Sequence, residues 1–217
     1  MLLFNEIEKI EVALRSTVAN MVAEETGNIF WMTDGSLFAN EDKFRKTMAL
    51  VDKELKSSKE DFIKHFKNKY SNDYPPAWML VEILPLGIVT RIYDNLADNA
   101  LRKKIAARFL LPVPVFSSWI TIITLVRNTC CHHSRVWNKE NAITPMLLKK
   151  TPYRWISKQI SPNRTFYDVC ILKWFIDIIS PENDMKGHLK NLLSDFPHVD
   201  IAAMGFPKNW EEEPLWK

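Results

Sequence analysis

Residues 127 to 138 read Arg-Asn-Thr-Cys-Cys-His-His-Ser-Arg-Val-Trp-Asn. One Arg, one Asn and one His, with a second Arg close behind, sit where a single helix can display them together. These types suit phosphodiester chemistry without a metal: a cation for the phosphate, an imidazole for proton transfer and an amide to hold either in place.

A helix over 115–138 must position them. At about 100° per residue, Trp119, Ile122, Ile123, Val126, Cys130, His133 and Trp137 form one stripe, read as the core face. Asn128, His132 and Arg135 fall roughly opposite, and Arg127 lies on the flank. His132 is the histidine poised for chemistry: Asn128, one turn back, can fix its tautomer and leave the other nitrogen for a substrate proton. Arg127 and Arg135 suit planar contact with phosphate. His133 reads as a packed histidine with one hydrogen-bond partner. The competing reading of the whole face is a set of solvated polar residues.

A metal is not expected. Cys130, Cys131, His132 and His133 are of zinc-binding types, but four consecutive helical residues point in four directions, and no second Cys or His pair occurs elsewhere. Cys130 on the core stripe is a poor nucleophile.

Two further groups can extend the site. Glu11 and Arg15 are one turn apart on the first helix, where a surface ion pair is the plainer reading. Lys149, Lys150, Arg154, Lys158 and Arg164, interleaved with Tyr153 and Trp155, have the composition of a nucleic-acid contact or of a solvated basic loop.

The 217 residues fit a single domain over 1–217, with 196–217 as an extended tail; hydrophobic residues at 47% and charged at 25% exclude disorder and coiled coil. Five Gly against twelve Pro suggest helices broken by prolines. The net charge of +3 permits an anionic partner without demanding one. Three cysteines, two of them adjacent, make no disulfide framework and point to a reducing compartment, hence the cytoplasm. The acidic first stretch is no signal peptide. Phe109 to Val126 carries no charge, yet Pro112 and Pro114 with four hydroxyl residues mark a loop and a buried helix rather than a membrane span.

Periodicity predicts a first helix from Leu3 to a stop at Gly27 and a second capped by Asn40. Ser57 with Glu60 resembles a capping box opening a third helix to about Tyr70. A fourth begins at Pro75-Pro76 and is bent or broken at Pro85, and a basic fifth begins at Asp98. Lys139 to Arg164 reads as a long basic connection, Thr165–Ile179 as a buried segment, and Ser180-Pro181-Glu182 as the start of a last helix to about Asp195. The tail, with Trp210, Trp216 and three prolines, is expected to pack over the surface without regular structure.

Arg127-Asn128, His132-His133, Arg135 and Trp137-Asn138 closely resemble the signature of the Abi-like abortive-infection proteins, a branch of the HEPN superfamily with an Arg-x4-His core. Trp119, the Trp78, Glu82, Gly87 spacing and the Glu11 to Arg15 stretch match that layout, so the resemblance covers roughly residues 5 to 180. It implies an all-α, HEPN-like helical bundle, homodimeric, whose paired motifs form a metal-independent endoribonuclease with no cofactor. Carried over, the motif makes Arg127 and His132 catalytic, with Asn128 supporting them. The expected reaction is attack of a ribose 2′-hydroxyl on its own phosphate, on RNA rather than DNA. The expected setting is phage defence or a toxin-antitoxin system, with an antitoxin protein or inhibitory small RNA as partner. The alternative is a non-catalytic HEPN module that binds RNA or builds a complex. Many relatives carry a further segment ahead of the first helix, and this chain begins almost at the domain itself, a departure that bears on substrate and partner recognition while the motif stays intact.

Overall fold

Helix α1 runs from Leu2 to Thr26 in the computed structural model, which describes residues 2–149, 151, 153–157 and 160–217. Ile7, Ile10, Leu14, Val18 and Val22 are among its buried positions, at the three- and four-residue steps of an apolar helical stripe. Gly27 ends it at φ +63°, an angle glycine adopts without a Cβ penalty. Among the described residues there are nine α-helices and no strand, so the protein is an all-α bundle. None of these helices is long and apolar enough to cross a membrane.

The chain divides into two compact units, one of Glu11–Val113 and one of Met1–Ile10 with Pro114–Lys217. In the first lie α2 (Glu41–Ser57), α3 (Asp61–Lys69), α4 (Ala77–Ile83), α5 (Leu86–Asn95) and α6 (Asn99–Ala107). α2 packs on α4 and α5, around a core that includes Trp31, Val51, Leu80 and Tyr93. Asn40 caps α2 by accepting from the Lys43 N–H at 2.8 Å, and Asp98 caps α6 by accepting from Ala100 and Leu101. Pro85 separates α4 from α5, as expected of a residue without an N–H. The third helix opens differently from the expectation. Ser57 completes α2 and Ser58 Oγ accepts from the Glu60 N–H at 3.4 Å, so α3 starts at Asp61 with no side-chain cap.

The second unit holds α7 (Val113–Cys131), α8 (Thr165–Ile179) and α9 (Met185–Asp195). Phe116 of α7 meets Phe175 of α8 at 6.1 Å between ring centres, and Trp119 meets Trp174 edge to face at 5.9 Å. The connection between α7 and α8 has no helix among its described residues, and aromatic packing pins it. Trp155 lies 4.7 Å from Trp119 and 5.5 Å from Trp174, and Trp119 Nε1 donates to the Met146 carbonyl at 3.0 Å.

Two expectations need correction here. The last helix begins at Met185 rather than at Ser180, because Asn183 Nδ2 donates to Asp177 and to the Ser180 carbonyl and ties residues 180–184 into a turn. Asp184 then caps α9 through the Gly187 N–H. The C-terminal tail is not a surface cover: it forms three short 3₁₀ turns at Ala202–Met204, Trp210–Glu212 and Pro214–Trp216. It buries Trp210 and Trp216 beside Phe166, and Trp216 Nε1 donates to Cys170 Sγ at 3.3 Å.

Candidate functional site

The polar run sits where α7 ends, and the ending is built by the backbone. His132 N–H reaches the Asn128 carbonyl (3.0 Å), His133 N–H the Cys130 carbonyl (3.1 Å) and Ser134 N–H the Thr129 carbonyl (2.9 Å). With His133 at φ +52°, this is a Schellman termination in which His133 fills the left-handed position usually given to glycine. Histidine is among the few side chains enriched there.

That geometry corrects the helix expected over 115–138. α7 stops at Cys131, so the angular count no longer applies beyond His132. His133 is exposed, not packed in the core, because the left-handed turn carries it off the stripe. Trp137 is 50% exposed, and its ring lies 5.9 Å from the Arg135 guanidinium as a surface cation-π pair. Cys130 is half-buried, and burial pushes its thiol up, away from the thiolate needed for nucleophilic work.

Within the helix, Arg127 and Asn128 are brought together. Arg127 Nη1 donates to Asn128 Oδ1 at 3.4 Å. Arg127 and His132 leave the axis about 140° apart, so this contact swings the guanidinium toward the side of the helix that carries Asn128 and, one turn on, His132. His132 itself is exposed and joins Asn128 through its backbone. It also shares a face with Leu125 and Thr129, at steps of four and three residues.

The other residues scatter. Lys149 and Arg154 are exposed on the connection, while Lys150 and Lys158 lie outside the described residues. Trp155 is engaged by aromatic neighbours rather than displayed. Glu11 and Arg15 belong to the other unit. There Arg15 pairs with Glu11 and donates to the carbonyls of Glu82 (3.2 Å) and Leu84 (2.8 Å), satisfying carbonyls where α4 stops.

One feature escaped the sequence reading. Asp168, in the first turns of α8, is 5% exposed and accepts from Asn141 Nδ2 at both oxygens, at 2.9 and 2.7 Å. Burial pushes its carboxyl up to about 7, against the opposing pull of the Asn141 bonds and the Lys139 charge. It lines a cleft of about 240 Å³ whose other walls include Leu125, Val126 and Thr129 of α7 and Ile143 of the connection. The available signal was a lone acid near the start of an otherwise apolar run, Thr165 to Leu172.

A family model described as Abi-like protein matches residues 1–138, a stretch that takes in the whole run from Arg127 to Asn138. No curated protein matches the chain, and no solved structure does.

Proposed function

The chain belongs to the Abi-like protein family, and from that premise we propose that it is a metal-independent endoribonuclease of the HEPN type acting in abortive infection or as the toxin of a toxin-antitoxin pair. The observation that carries the reading is the gathering of Arg127, Asn128 and His132 at the end of α7, with the Arg127 guanidinium turned onto Asn128 and His132 exposed one turn further on.

The chemistry follows from the groups. The 2′-oxygen of a ribose attacks the adjacent phosphorus, its proton passes to an imidazole, and the 5′-oxygen of the next nucleotide leaves with a proton. The products are a 2′,3′-cyclic phosphate and a free 5′-hydroxyl. Charge builds on the non-bridging oxygens, where a guanidinium offers paired N–H donors. His132 takes the base or acid role, Arg127 the charge, and Arg135 a flanking phosphate contact. Asn128 holds Arg127. His132 serves one proton transfer at a time, so a homodimer presenting two copies of the run to one RNA supplies both base and acid. An antitoxin protein or small RNA covering the exposed end of α7 would hold it in check.

The test is cleavage of a 3′-labelled RNA by the purified protein in the presence of a chelator. Wild type should release fragments with a free 5′-hydroxyl, while His132→Ala and Arg127→Ala should lose at least about a hundredfold in rate. Equal cleavage by all three, or dependence on added divalent metal, would sink the proposal. RNA bound tightly yet left intact by wild type would favour the non-catalytic reading.

A further inference from the structure

A cleft of about 290 Å³ lies where α2 packs on α5, lined by Lys43, Lys46, Thr47, Arg91, Asp94 and Asn95. It belongs to the unit Glu11–Val113, which does not contain the run from Arg127 to Asn138. Its size stands at the lower edge of small-molecule sites, which begin at roughly 300 Å³.

The floor is buried and already satisfied. Asn95 is 5% exposed; its Nδ2 donates to the Asn40 carbonyl at 2.9 Å, and its Oδ1 accepts from the Asn40 N–H at 3.1 Å. Thr47 Oγ1 donates to the Lys43 carbonyl at 2.8 Å. These bonds tie the start of α2 to the end of α5, so the two walls are held in place without a ligand.

The walls carry the charge. Lys43 and Lys46 stand one turn apart on α2, Arg91 stands on α5, and all three are exposed. The acids around them are engaged by other cations. Glu41 and Asp42 pair with Arg45, and Asp94, the acid in the lining, faces Arg102 at 3.9 Å. Among the described residues no ion pair holds Lys43, Lys46 or Arg91. Like charges one helical turn apart repel, a cost that a bound anion removes.

We infer that this cleft binds a ligand through two linked phosphate groups, as in pyrophosphate or the tail of a nucleoside diphosphate, with Arg91, Lys43 and Lys46 as its contacts. A guanidinium offers paired donors to two oxygens of one phosphate, and an ammonium serves as a point charge for others. One phosphate carries about 1.5 to 2 negative charges near neutrality, short of three cations; two linked phosphates come closer to matching them. Among the described residues of the lining there is no aromatic ring. A base therefore has nothing to stack on, and an RNA strand, held by stacking as well as by charge, meets only half of what it needs. The inference does not depend on the ribonuclease reading.

Titration calorimetry of the full chain at low salt, without divalent metal, tests it with four probes: pyrophosphate, phosphate, ADP and a short 2′-O-methyl RNA. Pyrophosphate and ADP should bind alike, and about tenfold or more tighter than phosphate. Arg91→Gln and Lys46→Gln should each weaken pyrophosphate about tenfold. Arg45→Gln removes a cation that is already paired on the same helix, and should leave the affinity within about twofold. All three substitutions fall on exposed side chains, so the fold should be kept. No binding, equal affinity for phosphate and pyrophosphate, or an Arg45→Gln loss as large as that of Arg91→Gln would overturn the inference. ADP bound far more tightly than pyrophosphate, or RNA that displaces pyrophosphate, would overturn it as well, by placing a base or a strand in the cleft.

Discussion

Asn141 donates from a single amide nitrogen to both carboxylate oxygens of Asp168, at 2.9 and 2.7 Å, and so clamps the connection between α7 and α8 onto the start of α8. The Asn141 backbone N–H, bonded to the Asn163 carbonyl at 2.8 Å, fixes the same strip of chain a second time. The clamp is neutral on one side. An amide can orient a buried carboxylate but cannot cancel its charge, which is why burial wins and the carboxyl rises to about 7.

Stability should therefore depend on pH through Asp168. A carboxyl raised from 3.8 to about 7 in the folded state contributes stability that is full below the unfolded value, declines as pH rises, and is gone above the folded value. At about 1.4 kcal/mol per tenfold change, the loss is on the order of 4 kcal/mol across that window. Asp168→Asn keeps the shape and removes the titration. Urea unfolding near about pH 8.5 should find the Asn variant more stable than wild type, and near about pH 4 no more stable. The same wild-type deficit at both values would show that the carboxyl is not held protonated by the fold.

Adjacent histidines should behave differently. His133 occupies a left-handed position at φ +52°, which costs a residue with a Cβ about 1 kcal/mol. His133→Gly should leave stability unchanged or raise it by up to about 1 kcal/mol, the gain being reduced by the greater entropy of glycine in the unfolded chain. His133→Val, β-branched and ill-suited to that angle, should lose about 1–2 kcal/mol. Thermal melts of the two variants decide it. RNA cleavage should survive His133→Gly and fail in His132→Ala, since only His132 is placed on the helix face with Thr129.

The difference between these histidines marks what the sequence made legible. Periodic apolar steps located α1 and α2, and Asn40, Asp98 and Pro85 act as cap, cap and break because each works through bonds to its immediate neighbours. The end of α7 has no Gly or Pro to announce it. A wheel drawn through Cys131 continues as easily as it stops, and the stop depends on His133 accepting a positive φ while Ser134 reaches back to Thr129. The tail failed for a different reason. Trp210 and Trp216 among prolines look like surface chain until Phe166 and Cys170, distant in sequence, supply the place where their rings are buried. Arg127, Asn128 and His132 fall within six consecutive residues at the end of α7, so their nearness could be proposed from spacing alone. That of Asp168 and Asn141, 27 residues apart, could not.

The basic connection should prove to be structural at its aromatic and dispensable to the fold at its charge. Trp155 packs against Trp119, Trp174 and Tyr167, so Trp155→Ala should destabilise the protein by about 3 kcal/mol. Arg154 is exposed, and Arg154→Ala should stay within about 0.5 kcal/mol of wild type. If Arg154 contacts RNA, its loss should appear as weaker binding at low salt and a shallower salt dependence. Chemical denaturation together with RNA binding at two salt concentrations separates the roles. A Trp155→Ala variant with wild-type stability and impaired RNA binding would reverse the assignment.

Arg15 should matter to stability through the carbonyls it reaches. Its side chain is only 15% exposed, pairs with Glu11, and donates to the carbonyls of Glu82 and Leu84 on either side of the last residue of α4. The helix stops at Ile83, so no continuing turn donates to the carbonyls of Glu82 and Leu84, and they depend on outside donors. Arg15→Ala withdraws one donor from the part-buried Leu84 carbonyl and one from the exposed Glu82 carbonyl, and the expected loss is about 1–2 kcal/mol. Arg15→Lys keeps the charge beside Glu11 but lacks the planar fork that serves three acceptors at once, so it should recover only part of that loss. Urea midpoints for wild type and the two variants give the order directly. A lysine variant as stable as wild type would mean that the charge pairing with Glu11, rather than the carbonyl contacts, is what Arg15 contributes.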